Sequence, residues 1–157
     1  MDTEAVYQKP TESEIVNLLT SKFPGKVQVT KTEARRVYAT VPKASIHEIC
    51  LYIQEHLTFE HITSVLGVDM VSNMKVVYHI SNYFNGVMIE LTADLPNDDL
   101  HISTVSDIWV GADWHERETY ELFGIIFDGH KRLERLLTPD TYEFFPFRKS
   151  YKLRGQE

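Results

Sequence analysis

Between Lys75 and Leu91 the chain alternates as a half-buried strand pair must. Val76, Tyr78 and Ile80 share one face, Val77 and His79 the other, and Val87, Ile89 and Leu91 resume the period after a break. Successive side chains of a strand point to opposite faces, so this pattern turns one face toward a core. Asn85-Gly86 lies in the break. Both residues tolerate positive φ, so an antiparallel hairpin is expected there. Two strands alone are marginal in water, and the rest of the chain must supply more strands and a helical cover.

Further strands are expected from Val27 to Thr30, from Arg36 to Val41 after a polar turn, and from His61 to Met70, a less regular segment that contains Gly67. Three helix starts carry one signature: Thr11 with Glu14, Ser45 with Glu48, and Asp113 with Glu116. In a capping box the first side chain accepts from the exposed amide three residues on, and the Glu folds back to the cap amide. The first helix is expected over Glu12 to Lys22, stopped by Pro24-Gly25. The second is expected over Ile46 to Leu57, where Ile46, Ile49, Cys50, Ile53 and Leu57 form a core-facing stripe. The third is expected over Trp114 to Phe123, with Gly124 as its left-handed stop. The fold class is therefore α+β: a mostly antiparallel sheet with helices packed on one face, a third helix and an extended C-terminal tail. Residues 1–11 are expected to be a flexible N-terminus, 12–128 an α+β domain and 129–157 a docking tail.

Charge divides the chain in the same place. Residues 1–128 carry −10 and residues 129–157 carry +3, within a net −7. An acidic body argues against nucleic acid as the main partner. The tail holds Leu133, Leu136, Leu137, Tyr142, Phe144, Phe145, Phe147 and Tyr151, broken by Pro139 and Pro146. The prolines forbid one continuous helix. An irregular segment this aromatic must wrap its own domain or lie on a partner. No stretch approaches the roughly 20 apolar residues of a membrane span. The polar start, MDTEAVYQKP, has no signal-peptide pattern, so the chain is expected on the cytoplasmic side.

Motifs for chemistry are weak. Cys50 stands alone, so this chain cannot by itself supply the four thiolates of an iron–sulfur cluster, and it reads as a buried small hydrophobe. The glycines form neither GxGxxG nor a Walker run. His115-Glu116 lacks the second His of a zinc motif, because Thr119 stands four residues after the first. Glu116, Arg117, Glu118 and Glu121 suit either proton transfer or structural pairing. The structural reading places an ion pair between Arg117 and Glu121 and pairs Glu118 with a basic residue elsewhere. A stand-alone enzyme would instead use Glu118 and His130 as acid and base. Arg148-Lys149, beside Phe145, Pro146 and Phe147, fits an interface anchor better than a substrate pocket. A free adaptor for an acidic partner is a further alternative.

The run from Trp114 to His130, WHERETYELFGIIFDGH, resembles the signature of the C subunit of respiratory complex I, the thirty-kilodalton subunit family. Arg135-Leu136-Leu137 and the segment Pro146 to Tyr151 continue the likeness. Gly67-Val68-Asp69, Val77-Tyr78-His79 and the segment Val105 to Trp109 extend it upstream. Departures are Lys131 where the family often has Pro, Glu134 for a basic residue, Phe144 for a Gly and Ser150 for an Asp. The resemblance implies a cofactor-free structural subunit in the peripheral arm of a proton-pumping oxidoreductase, bound to the membrane only through the complex. Its implied neighbours are the large quinone-module subunit, related to the hydrogenase large subunit, and the small iron–sulfur subunit. Iron–sulfur clusters and flavin are expected in partner subunits. Electrons would pass from reduced deazaflavin or NADH to quinone or methanophenazine; an energy-converting membrane-bound hydrogenase is the alternative parent. No catalytic, cofactor or metal residue is implied here. Trp114, Glu116, Arg117, Glu118, Glu121, Phe123, Gly124, Gly129 and His130 are implied as a structural signature. Arg135, Tyr142, Phe145, Pro146, Phe147, Arg148, Lys149 and Tyr151 are implied as partner-docking residues.

Overall fold

In a computed structural model, which describes residues 10–153, the alternating segment lies at the centre of a five-stranded sheet. The elements run α1 (Glu12–Lys22), β1 (Gln28–Glu33), β2 (Arg36–Thr40), a 3-10 turn (Lys43–Ser45), α2 (Ile46–Leu57), β3 (His61–Asp69), β4 (Asn73–Ser81), β5 (Met88–Pro96), β6 (His101–Ser103), α3 (Ala112–Phe123) and β7 (Ile126–Asp128). The sheet order is β1-β2-β5-β4-β3. Its neighbours are antiparallel except β2 and β5, which pair parallel from Arg36↔Met88 to Thr40↔Thr92. The α+β class and the mostly antiparallel sheet are as expected. The parallel seam and the short β6–β7 pair are additions, since such distant pairings leave no local pattern.

Period two decides which face is buried. Met74, Val76, Tyr78 and Ile80 of β4, and Ile89, Leu91, Ala93 and Leu95 of β5, are buried, while their alternates are part-exposed. Ile15 and Leu19 of α1 and the whole stripe Ile46, Ile49, Cys50, Ile53 and Leu57 of α2 join that core. Cys50 is fully buried, and burial pushes its thiol pKa well up, as befits a packing residue.

Only one of the three capping boxes forms. At α1, Thr11 Oγ1 accepts from the Glu14 amide at 3.4 Å and Glu14 accepts from the Thr11 amide at 2.8 Å. At α2, a 3-10 turn runs into the helix, Ser45 makes no cap bond, and Glu48 reaches Lys26 at 2.5 Å. At α3, the helix starts two residues early, at Ala112. Asp113 thus lies inside the first turn, and Glu116 turns into the protein. The Asn85-Gly86 hairpin also differs. Ser81 pairs with Met88, so residues 82–87 form a longer loop in which only Gly86 has positive φ (68°). Asn82 organises that loop, its Oδ1 accepting from the Phe84 amide at 2.8 Å. The expectation of a flexible 1–11 falls outside the described residues except for Pro10 and Thr11. Asn85 Nδ2 donates to the Pro10 carbonyl at 3.0 Å.

The third helix lies along β3, with Thr119 Oγ1 donating to the Val65 carbonyl at 3.1 Å. Gly67 permits this approach: a Cβ there would stand 2.5 Å from the Phe123 ring. Gly67→Ala should therefore destabilise the chain by about 1–3 kcal/mol through overpacking. Urea denaturation measures this, and adding Phe123→Leu should return part of the loss. An unchanged urea midpoint in Gly67→Ala would refute the packing account.

Candidate functional site

Two glutamates of α3 are fully buried, and each takes charge of a different neighbour. Glu116 faces the loop after β6. Its Oε1 accepts from the Val105 amide at 2.7 Å and its Oε2 from the Thr104 hydroxyl. Behind it, His130 Nε2 stands 3.8 Å from Glu116 Oε2 and 3.2 Å from Asp113 Oδ1. His130 Nδ1 accepts from the Arg132 amide at 3.0 Å, so the proton of a neutral ring sits on Nε2, toward the carboxylates. Burial raises the Glu116 pKa to about 7, with the Thr104 and Val105 bonds opposing and the Asp107 and Asp113 charges assisting.

Glu121 has the opposite balance. It accepts from the amides of Leu136 at 2.6 Å, Leu137 at 2.9 and 3.0 Å, and Thr138 at 2.5 Å. Burial alone would raise its pKa, but these amides outweigh burial and the net shift is downward. The expected Arg117–Glu121 ion pair does not form. The carboxylate is spent on three amides, and buried Arg117 donates through Nε to the Glu134 carbonyl at 3.1 Å, its guanidinium 5.6 Å from the Trp114 ring centre. Both side chains of α3 therefore clasp main chain at the start of the tail.

The far end of α3 holds the tail again. Gly124 closes the helix at φ 77°. A Cβ on Gly124 would stand 2.5 Å from Arg148 Nη2 and 2.7 Å from the Phe145 ring. Arg148 Nε donates to the Phe123 carbonyl at 2.6 Å, the Phe147 amide to the Leu122 carbonyl at 3.1 Å. A cation is well placed at a helix C-terminus. Arg148 and Arg135 both lie over the Phe145 ring, at 4.6 and 5.7 Å from its centre.

The residues implied as a signature thus fall into two sets. Arg117, Glu121, Phe123 and Gly124 hold the tail, Glu116 and His130 meet at the loop after β6, and Gly129 (φ 86°) turns the chain just before His130. Trp114, by contrast, is 65% exposed, and Glu118 is exposed with no ion pair among the described residues. Glu118 and His130 do not meet; the carboxylates beside His130 belong to Asp113 and Glu116. Of the residues implied for docking, Arg135, Phe145, Pro146 and Arg148 are partly buried against their own domain. Tyr142, Phe147 and Lys149 are exposed, and the Tyr142, Phe144 and Tyr151 rings gather with centres 4.4 and 5.3 Å apart. Asp69, Asp113 and Thr104 are not legible as site residues, since single polar residues in strands and loops carry no motif. Among the described residues, no three His, Cys, Asp or Glu side chains converge on a metal position, and no helix is long and apolar enough to cross a membrane.

The class of protein is an α+β domain whose third helix straps down an aromatic tail, and comparison with known proteins gives its family. Residues 39–157 match the family model described as "Respiratory-chain NADH dehydrogenase, 30 Kd subunit". The C subunit of the F(420)H(2) dehydrogenase of Methanosarcina mazei is 39% identical over 142 residues, covering 88% of this chain and 90% of that protein. The C subunit of the NADH-quinone oxidoreductase of Acidothermus cellulolyticus is 35% identical, covering 85% and 73%. A chain in the membrane-bound sulfane sulfur reductase, an archaeal respiratory membrane complex, superposes with a TM-score of 0.80 at 26% identity, covering 90% and 85%. The Nqo5 fragment shares the fold at a TM-score of 0.66 and 22% identity, covering 77% and 98%. The chain belongs to the 30-kilodalton subunit family of respiratory-chain NADH dehydrogenase, that is, to the C subunits of complex I-like oxidoreductases.

The two glutamates make separable predictions. Glu116 binds its proton more tightly folded than unfolded, so its contribution makes stability fall as pH rises from about 4.5 to about 7. A shift of that size is worth on the order of 3 kcal/mol. Glu116→Gln should remove this slope, seen as converging urea midpoints at pH 5 and pH 8. Glu121 works the other way, its stabilisation being lost as pH falls through its depressed pKa. Glu121→Gln turns an amide group toward N–H donors and should cost at least about 1.5–3 kcal/mol of tail anchoring. Trypsin cleavage at Arg135, Arg148 and Lys149 should then accelerate roughly tenfold or more, while the α+β core stays folded.

Proposed function

We propose that the chain is a structural, cofactor-free subunit of the peripheral arm of a complex I-like, proton-pumping oxidoreductase, on the cytoplasmic side of the membrane. The observation that carries this is the 39% identity with the C subunit of the F(420)H(2) dehydrogenase across 88% of this chain. The name of that relative supports reduced deazaflavin as the donor of the parent complex, and methanophenazine is the acceptor that the sequence resemblance implies beside it; NADH and quinone are the variant that the bacterial relatives support. The buried carboxylates support a structural role, because both are occupied by the chain's own donors and neither opens to a substrate. The exposed strip of Tyr142, Phe147, Lys149 and the tail rings would dock on the large quinone-module subunit, next to the small iron–sulfur subunit. Clusters and flavin would reside in those partners.

A second reading has its own support. The likeness to a chain of the membrane-bound sulfane sulfur reductase favours a parent complex of that archaeal type, or the related energy-converting hydrogenase, with a different acceptor.

Affinity-tagging the chain in its own cells tests the first reading. It should bring down an iron–sulfur protein and membrane subunits at fixed stoichiometry by native mass spectrometry. The purified complex should oxidise reduced deazaflavin with a phenazine acceptor; reduction of sulfane sulfur instead would select the second reading. A chain that purifies as a stable monomer with turnover of its own would defeat both. Phe147, 60% exposed, gives the cleanest docking variant. Phe147→Ala should leave the thermal midpoint within a few degrees of wild type and lower complex yield at least tenfold, a loss of about 1.4 kcal/mol or more of association energy.

A further inference from the structure

The turn between β3 and β4 holds a valine in a conformation that valine avoids. Val71 has φ 70°, where a β-branched side chain is strained and Gly or Asn is at ease. Three bonds hold it there. The Val71 amide donates to Asp69 Oδ1 at 2.7 Å, Asn97 Nδ2 donates to the Val71 carbonyl at 2.9 Å, and the Met70 amide donates to the Asn73 carbonyl at 2.9 Å. The strain brings no burial, because the Val71 side chain is 67% exposed. Met70 and Val68 beside it are also exposed. A turn built only to reverse the chain would not need an exposed, strained apolar residue at its tip.

The same carboxylate joins this turn to the tail. Asp69 Oδ2 accepts from the Lys149 amide at 2.8 Å while Oδ1 holds Val71. Asp69 thus sets the distance between the apolar tip and the basic strip. A cleft of about 410 Å³ is lined by Val71, Met74 and Leu100, by Asp69 and Asn97 of the turn's hydrogen bonds, and by Arg148, Lys149 and Ser150 of the tail. The lining thus sets three apolar side chains, with Asp69 and Asn97 already spent on the turn and the Lys149 amide, against the basic side chains of a tail that carries +3 on a body of −10.

From this geometry we infer that the β3–β4 turn and the tail form one composite docking surface. It receives an apolar side chain of a partner subunit, flanked by a carboxylate that meets Lys149. The inference rests on the subunit role proposed above and adds to the tail a second element, displayed by strain. Charge complementarity selects an acidic group beside the apolar one: Arg148 is already engaged by the Phe123 carbonyl and the Phe145 ring, whereas exposed Lys149 has no ion pair among the described residues, so a basic segment would be repelled there and a purely apolar one would leave its ammonium unpaired.

The test co-expresses the full chain with the large hydrogenase-like subunit of its complex and measures the assembled fraction by native mass spectrometry. Val71→Gly and Val71→Asn both fit the backbone, so their thermal midpoints should equal or exceed the wild-type value. Both should nevertheless lower assembly at least tenfold. Lys149→Glu should do the same, with wild-type assembly falling as salt rises. A photo-crosslinking residue at position 71 should capture a partner peptide containing both apolar and acidic residues. Normal assembly of both Val71 variants, or a captured peptide that is basic, would overturn the inference. Phe147→Ala in the same assay separates the two proposals. If it fails to assemble while the Val71 variants succeed, the docked-subunit reading stands and the turn surface falls. If every variant assembles normally, tail docking fails as well.

Discussion

Three consecutive amides, from Leu136 to Thr138, donate to one carboxylate that water does not reach. Removing that carboxylate would leave three N–H groups without their acceptor, so the start of the tail is bound to α3 wherever Glu121 is ionised. The rest follows from that hold. Arg117 takes the carbonyl just before the amides, Arg148 closes the C-terminal end of α3, and Phe145 is pinned between two guanidiniums over Gly124. The aromatic tail is thereby tied to its own domain at both ends of α3. A partner docking there, as proposed above, would spend less on ordering the chain than one meeting an untethered segment.

Glu116 and Glu121 lie on one helix, both without solvent-accessible surface, yet their pKa values move in opposite directions. Glu121 has enough donors to offset the loss of water. Glu116 has two donors and two carboxylates nearby, and its proton is correspondingly harder to remove. Glu116 is the more deeply desolvated and has the fewer donors, and both differences push its pKa up relative to Glu121. Glu116 fixes the loop after β6 and lies beside His130, while Arg117 and Glu121 of the same helix fix the tail.

Much of the fold was legible because hydrophobic period reports directly on burial. The α2 stripe and the β4 and β5 alternation are buried as their spacing demands. Gly124 was legible for a similar reason, because a left-handed helix stop needs what glycine offers. The capping boxes were legible only in part. At α2, Glu48 sits at the third helical position but Lys26 offers it a better partner; at α3 the helix starts at Ala112, so Glu116 lies beyond that position and serves the Thr104–Val105 loop. Arg117 and Glu121 misled for the same reason. Spacing makes them neighbours, but main-chain groups of the tail, distant in sequence, outcompete the pair. Trp114 shares its run of sequence with the buried charges, yet helix phase leaves it outside. The strain at Val71 had no signal at all, since nothing in the residue names Met70-Val71-Ser72 marks a positive φ.

The parallel pairing of β2 with β5 has a consequence for how the chain comes to be made. β3, β4 and β5 form a meander of neighbouring strands, and β1 with β2 form another local hairpin. Only the β2–β5 seam joins the two halves into one sheet. As the chain leaves the ribosome, β2 emerges with an open edge and has no partner on that side until Met88 to Thr92 follow, some fifty residues later. α2, already complete, has only half a sheet to cover in that interval. Translation of β5 is therefore the moment at which the core can close, and the clasp on α3, which comes later still, can lock only onto a sheet that is already whole.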